Sequence, residues 1–162
     1  MSYIIDGKEY DTVINGTDDG DTLLGSHTTS EYINGGAGSD YLHGVSYGYF
    51  YRYFATLVGG EGDDVFYNNN NQPQNNIFLG GDGNDQYILD GYSQAVILEN
   101  GTINSNNDTL TLKNIPHSLN DKEWWNASII DEKHLFILAG HGEFTENVDF
   151  LILNYFTDKN PI

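Results

Sequence analysis

Apolar residues in this chain stand at the centre of short runs, too brief for a helix: T-L-L at 22–24, Y-I-N at 32–34, Y-L-H at 41–43, T-L-V at 56–58, V-F-Y at 65–67, I-F-L at 77–79 and Q-Y-I at 86–88. Each run sets one side chain (Leu23, Ile33, Leu42, Leu57, Phe66, Phe78 or Tyr87) on the face opposite its two neighbours, which predicts a minimal strand. One such strand buries nothing alone. Copies stacked about 4.8 Å apart share a continuous interior, so the pattern predicts an all-β stack. Ahead of these runs, Asp6-Gly7 separates two apolar-rich stretches and predicts a two-residue hairpin, after which Ile14 is the first inward residue.

The links between the strands alternate in kind. GGAGSDYLH (35–43), GGEGDDVFY (59–67) and GGDGNDQYI (80–88) share the pattern G-G-x-G-x-D-x-apolar-x, and GTDDGDTLL (16–24) fits it with Asp21 in the aspartate position and its turn glycine displaced to Gly20. The units between them, GSHTTSEYIN (25–34), GVSYGYFYRYFATLV (44–58) and NNNNQPQNNIFL (68–79), keep the apolar residue and lose the glycines and the aspartate. Glycine-rich turns permit positive φ and expose carbonyl oxygens. Calcium takes oxygen ligands at roughly 2.3–2.6 Å, so an ion midway between two stacked turns would reach both.

The nonapeptides resemble the glycine-rich repeats of the RTX (repeats-in-toxin), or haemolysin-type, calcium-binding family. The resemblance implies a right-handed parallel β-roll in which alternate repeats form opposite sides of a flattened coil, with calcium between successive turns. Strict alternation of intact and degenerate units then puts Asp21, Asp40, Asp64 and Asp85 on one side, as a one-sided calcium ladder. Sites are expected between neighbouring aspartates of that series, completed by turn carbonyls of Gly35, Ala37, Gly59, Glu61, Gly80 and Asp82. The aspartates are 19, 24 and 21 residues apart, and a further step of 23 reaches Asp108, which with Glu99 is a candidate for a fourth site. Three to four calcium ions are expected. The other side offers Glu31 and asparagines, and substitution of Glu31 is expected to matter little.

Beyond Ile88 longer β segments follow: AVILE, DTLTL, HLFILAG and VDFLILNYF. The organisation predicted is a hairpin and start of the roll over 1–15, the roll over 16–99, and a β-rich cap over 100–162 with Trp124, Trp125, Phe136, Phe150, Ile152 and Phe156 as its core. A cap is needed because a roll otherwise ends in unpaired backbone and an exposed apolar cross-section.

Charge narrows the function. The 162 residues carry 6 Lys plus Arg against 24 Asp plus Glu, a net charge of −18, which excludes nucleic acid as a natural partner and disfavours anionic membranes. Facing aspartates repel, and glycine- and asparagine-rich loops are costly to order, so without calcium the chain is expected to be largely unfolded, with metal binding and folding one event. No cysteine is present. The sequence shows neither an 18-residue apolar span nor a cleavable leader, which fits what the resemblance implies: a bacterial protein secreted by a type I system, outside the cell or on its surface, and here a piece of a longer chain.

Catalysis is not expected. G-V-S-Y-G at 44–48 matches the nucleophile-elbow pattern but lies between strands of a β stack, whereas that motif needs a strand before and a helix after it. The five histidines lack zinc spacing, and Asp18-Asp19 and Asp63-Asp64 are better explained by the calcium turns than by acid–base work. The leading expectation is a non-enzymatic calcium-dependent folding module that assists neighbouring domains. Two alternatives are an adhesin-type module that binds glycan or protein through the loop Tyr47–Phe54, with six aromatics and one arginine in eight positions, and an accessory module of a secreted polysaccharide-modifying enzyme or protease.

Overall fold

Asp6 and Gly7 take φ of 49° and 76°, the left-handed pair that a tight hairpin turn requires. They join β1 (Tyr3–Ile5) to β2 (Lys8–Tyr10) in antiparallel register, Tyr3 opposite Tyr10. In this computed structural model the described residues are 2–26, 29–44, 53–70, 76–91, 95–98, 107–113, 123–130, 134–141 and 146–153.

After the hairpin the chain winds between two sheets. One strand of each pair enters the first sheet: β3 (Thr12–Asn15), β5 (Glu31–Ala37), β7 (Ala55–Glu61), β9 (Asn76–Asp82) and β11 (Ala95–Leu98). The other enters the second: β4 (Thr22–Leu24), β6 (Tyr41–His43), β8 (Val65–Asn70), β10 (Gln86–Gly91) and β12 (Thr109–Lys113). Neighbours within each series pair in parallel, giving a β-solenoid of the roll type.

Register sets the core. Ile14, Ile33, Leu57, Phe78 and Ile97 stack in one column of the first sheet, and Leu23, Leu42, Phe66, Tyr87 and Leu110 in one column of the second. Ile33, Leu42, Leu57, Phe66, Phe78 and Ile97 are fully buried, with Ile14, Leu23 and Leu110 packed against them at the periphery. Each fully buried aliphatic or aromatic side chain contributes about 1.5–3 kcal/mol, which a lone three-residue strand never collects. Phe66 ties the columns together, its ring 5.5 Å from Phe78 and 5.0 Å from Tyr87.

The segment expected as a cap divides between the two sheets. β12 pairs with β10, so the second sheet of the roll runs past residue 99 to Lys113. β13 (Glu123–Ile130), β14 (His134–His141) and β15 (Glu146–Leu153) form an antiparallel meander, and β15 joins the first sheet in parallel beside β11, with Phe150 and Ile152 in register with Ala95 and Ile97. Trp124 and Trp125 lie on β13 and Phe136 on β14. Phe156 lies outside the described residues, as do Tyr47–Arg52 of the aromatic loop.

Candidate metal centre

The glycine turns join the first sheet to the second on one side of the roll, and their stacking leaves no room for side chains. In the turns of the three intact repeats, Gly36, Gly60 and Gly81 stand in register with φ of 109°, 116° and 111°, and a Cβ on any of them would collide with a carbonyl oxygen of the coil beneath. Both the positive φ and the close approach demand glycine.

Each turn ends on an aspartate, and the aspartates bond from coil to coil. Asp21 N–H donates to Asp40 Oδ1 at 2.7 Å, Asp40 N–H to Asp64 Oδ1 at 2.8 Å, Asp64 N–H to Asp85 Oδ1 at 3.0 Å and Asp85 N–H to Asp108 Oδ1 at 2.9 Å. The aspartate carbonyls accept in the opposite sense, from the following coil: Asp64 C=O from Gln86 N–H and Asp85 C=O from Thr109 N–H, each at 2.8 Å. Asp108 therefore continues the hydrogen-bonded series to a fifth member.

An asparagine would satisfy Oδ1 equally well. What it would not supply is Oδ2, which in Asp40, Asp64 and Asp85 is buried and accepts no hydrogen bond. The three side chains are no more than 2% exposed. Each of these oxygens lies against the first glycine of its own turn: a Cβ on Gly35 would collide with Asp40 Oδ2 and stand 2.7 Å from the Gly59 carbonyl oxygen, and a Cβ on Gly59 would collide with Asp64 Oδ2 and stand 2.6 Å from the Gly80 carbonyl oxygen. At Gly80 the atoms so placed are Asp85 Oδ2 and the Tyr87 hydroxyl. A carboxylate oxygen and a carbonyl oxygen are both acceptors, so at Gly35 and Gly59 one oxygen from each of two adjacent coils borders the space a Cβ would occupy.

Such a carboxylate is unfavourable as an anion unless a proton or a cation joins it. Burial pushes the Asp64 carboxyl up to about 7, with the charges of Asp85, Asp40 and Asp63 adding to the rise and the Asp40 N–H opposing it. Burial likewise takes Asp85 to about 6, against the Asp64 N–H and with the charge of Asp108 adding, and raises Asp40. The donor set, one carboxylate oxygen and backbone oxygens from stacked turns, fits a hard cation with oxygen ligands. Among the described residues no three Asp, Glu or His side chains gather at one point, so any cation held here would have one carboxylate per turn and its other ligands from the backbone.

Of the carbonyls expected to complete the sites, those of Gly59 and Gly80 face Asp40 and Asp64, and that of Gly35 faces the Asp21 turn across Gly16. Ala37, Glu61 and Asp82 stand in register on successive turns, with the Asp82 carbonyl accepting Gly62 N–H at 2.7 Å. Glu99 lies outside the described residues. Asp21 differs from the rest: its Oδ2 accepts from Thr17 N–H at 2.7 Å and from the Thr17 hydroxyl at 2.9 Å.

The opposite side of the roll works otherwise. Glu31, expected to be of little consequence, is 1% exposed and accepts Ser26 N–H with both carboxylate oxygens at 2.8 Å and the Thr29 hydroxyl at 3.2 Å. It closes the loop that precedes its own strand. Asn76 holds the corresponding place two coils on, accepting Ala55 N–H at 2.9 Å. Tyr10, at the end of the hairpin, folds onto Tyr32 and Phe54 and shares a hydrogen bond with Thr56, 46 residues away. Nothing local in the sequence marks Tyr10 or Glu31 for these contacts, because each partner is supplied by chain winding.

Comparison with known proteins gives no match to any protein family, curated protein or solved structure. The likeness to RTX repeats therefore rests on the nonapeptides themselves.

Proposed function

We propose that this chain is a calcium-dependent folding module of a secreted or cell-surface protein. The observation that carries the proposal is the repeat of one buried carboxylate oxygen per turn, in Asp40, Asp64 and Asp85, with no hydrogen-bond donor and, for the first two, a carbonyl of the next coil beside it. Asp40 with Gly59, Asp64 with Gly80, and Asp85 would hold the ions, and a bound divalent cation supplies the positive charge that these acceptors lack.

The chain's own residues do the rest. The ladder of N–H to Oδ1 bonds fixes each carboxylate so that Oδ2 points at its glycine, and the glycines let adjacent turns approach closely enough for oxygens of two coils to meet. Because each turn shares its ligands with the next, ordering one turn prepares its neighbour, and ion binding is coupled to folding of the whole stack. In a compartment poor in calcium the buried carboxylates oppose folding; where calcium is abundant they favour it. This suits export as an unfolded chain and folding outside, beside neighbouring domains.

Far-UV circular dichroism in calcium and in excess chelator at pH 7.5 tests the proposal. A cooperative gain of β signal on adding calcium, with magnesium much less effective, is expected. A chain equally β-rich in chelator and calcium refutes it.

A further inference from the structure

We propose that the first coil is a metal-free end to the ladder: Thr17 takes the place of the cation at Asp21, so that bound cations begin at Asp40. The inference rests on the calcium function proposed above and concerns which turns take part in it. Aligned on the aspartate, Thr17 and Asp19 stand where the other turns have the glycine pairs Gly36 and Gly38, Gly60 and Gly62, and Gly81 and Gly83. All six glycines have positive φ, whereas Asp6 is the sole non-glycine with positive φ among the described residues, so Thr17 and Asp19 hold ordinary backbone and the first turn is built differently.

The consequence falls on Oδ2. In Asp40, Asp64 and Asp85 that oxygen is buried without a donor. In Asp21 it receives two hydrogens, from Thr17 N–H at 2.7 Å and Thr17 Oγ1 at 2.9 Å, and the hydroxyl is itself held by Asp19 N–H at 3.2 Å. The oxygen also stands farther from its glycine: a Cβ on Gly16 would meet the Gly35 carbonyl oxygen first and stand 2.8 Å from Asp21 Oδ2, a wider gap than the equivalent oxygens leave at Gly35, Gly59 and Gly80. A cation at Asp21 Oδ2 would have to displace both donors and face their partial positive charge. Asp21 nevertheless donates its N–H to Asp40 Oδ1. The first coil thus orients the Asp40 carboxylate for a cation while needing none of its own.

Native mass spectrometry at saturating calcium chloride counts the ions, and a calcium titration followed by circular dichroism gives the folding midpoint. Asp21→Asn keeps an oxygen for Thr17 and is expected to bind as many ions as the wild type, with a midpoint within about twofold of it. Asp64→Asn, which leaves Oδ1 chemistry intact and removes Oδ2, is expected to lose at least one ion and to raise the midpoint about tenfold or more, the effect of losing one charged ligand. An Asp21→Asn protein that loses an ion overturns the inference while leaving the calcium function standing. Equal ion counts in wild type and Asp64→Asn overturn both. Should Asp21→Asn fail to fold in saturating calcium, Thr17→Gly with Asp19→Gly decides: restoring the glycine pair of the other turns removes the Thr17 hydroxyl and lets residue 17 take their positive φ, which turns its N–H from the Asp21 oxygen, so one added ion is expected and an unchanged count overturns the inference.

Discussion

Asp64→Asn separates the two duties of the ladder aspartate. The asparagine retains an oxygen for Asp40 N–H, a bond of 2.8 Å, and sets an amide N–H₂ where Oδ2 stood beside the Gly80 carbonyl. In chelator the wild-type carboxyl titrates at about 7 in the folded chain against 3.8 for an ordinary aspartate. A carboxyl raised by folding costs nothing below its unfolded value, and the cost grows through the interval to its full size above about pH 7. At about 1.4 kcal/mol per pH unit the full cost is on the order of 4 kcal/mol at pH 8, part of it shared with Asp40 and Asp85. The variant should therefore be more stable than wild type in EGTA at pH 8, by a few kcal/mol, and less stable in millimolar calcium, where it forfeits a charged ligand. Urea melts in calcium, and the folded fraction by circular dichroism in EGTA at pH 8, read this inversion. A variant destabilised by the same amount in EGTA and in calcium would mean that Asp64 is structural alone.

Three further outcomes follow from the same geometry. Acidifying the calcium-free protein from pH 8 to 5 should increase its folded fraction, because the folded values of Asp40, Asp64 and Asp85 are all raised; pH-dependent circular dichroism in chelator that shows monotonic loss of structure over this range contradicts it. Gly59→Ala places a methyl against Asp64 Oδ2 and the Gly80 carbonyl, and isothermal titration calorimetry should show loss of calcium binding at that turn while Gly7→Ala, in open space in the hairpin, leaves binding intact. Glu31→Gln weakens the closure of the 26–31 loop and should lower stability by about 1–3 kcal/mol in melts at saturating calcium, with the number of bound ions counted by native mass spectrometry unchanged; a lower ion count would place Glu31 among the metal ligands instead.

Hydrophobic spacing and the alternation of turn types specify the strands, their stacking and the side of the roll on which the aspartates fall. An x-apolar-x run has one way to bury its centre, and a strict alternation of turn types has one way to fit a two-sided coil, so Ile33, Leu42, Leu57, Phe66 and Phe78 were legible as core and Asp21 to Asp108 as one series. Periodicity, however, treats members of a series as equal. Only tertiary structure distinguished Asp21, whose second oxygen is taken by Thr17, from Asp40, Asp64 and Asp85, whose second oxygens are buried with no donor. The same holds for Glu31 and Tyr10, which look like surface residues until the winding of the chain closes a loop over one and lays the other on Thr56. Spacing specifies which backbone positions coincide from coil to coil; the hydrogens that reach a given oxygen depend on the φ of its own turn and on the atoms of the next coil, and those exist only once the chain has folded.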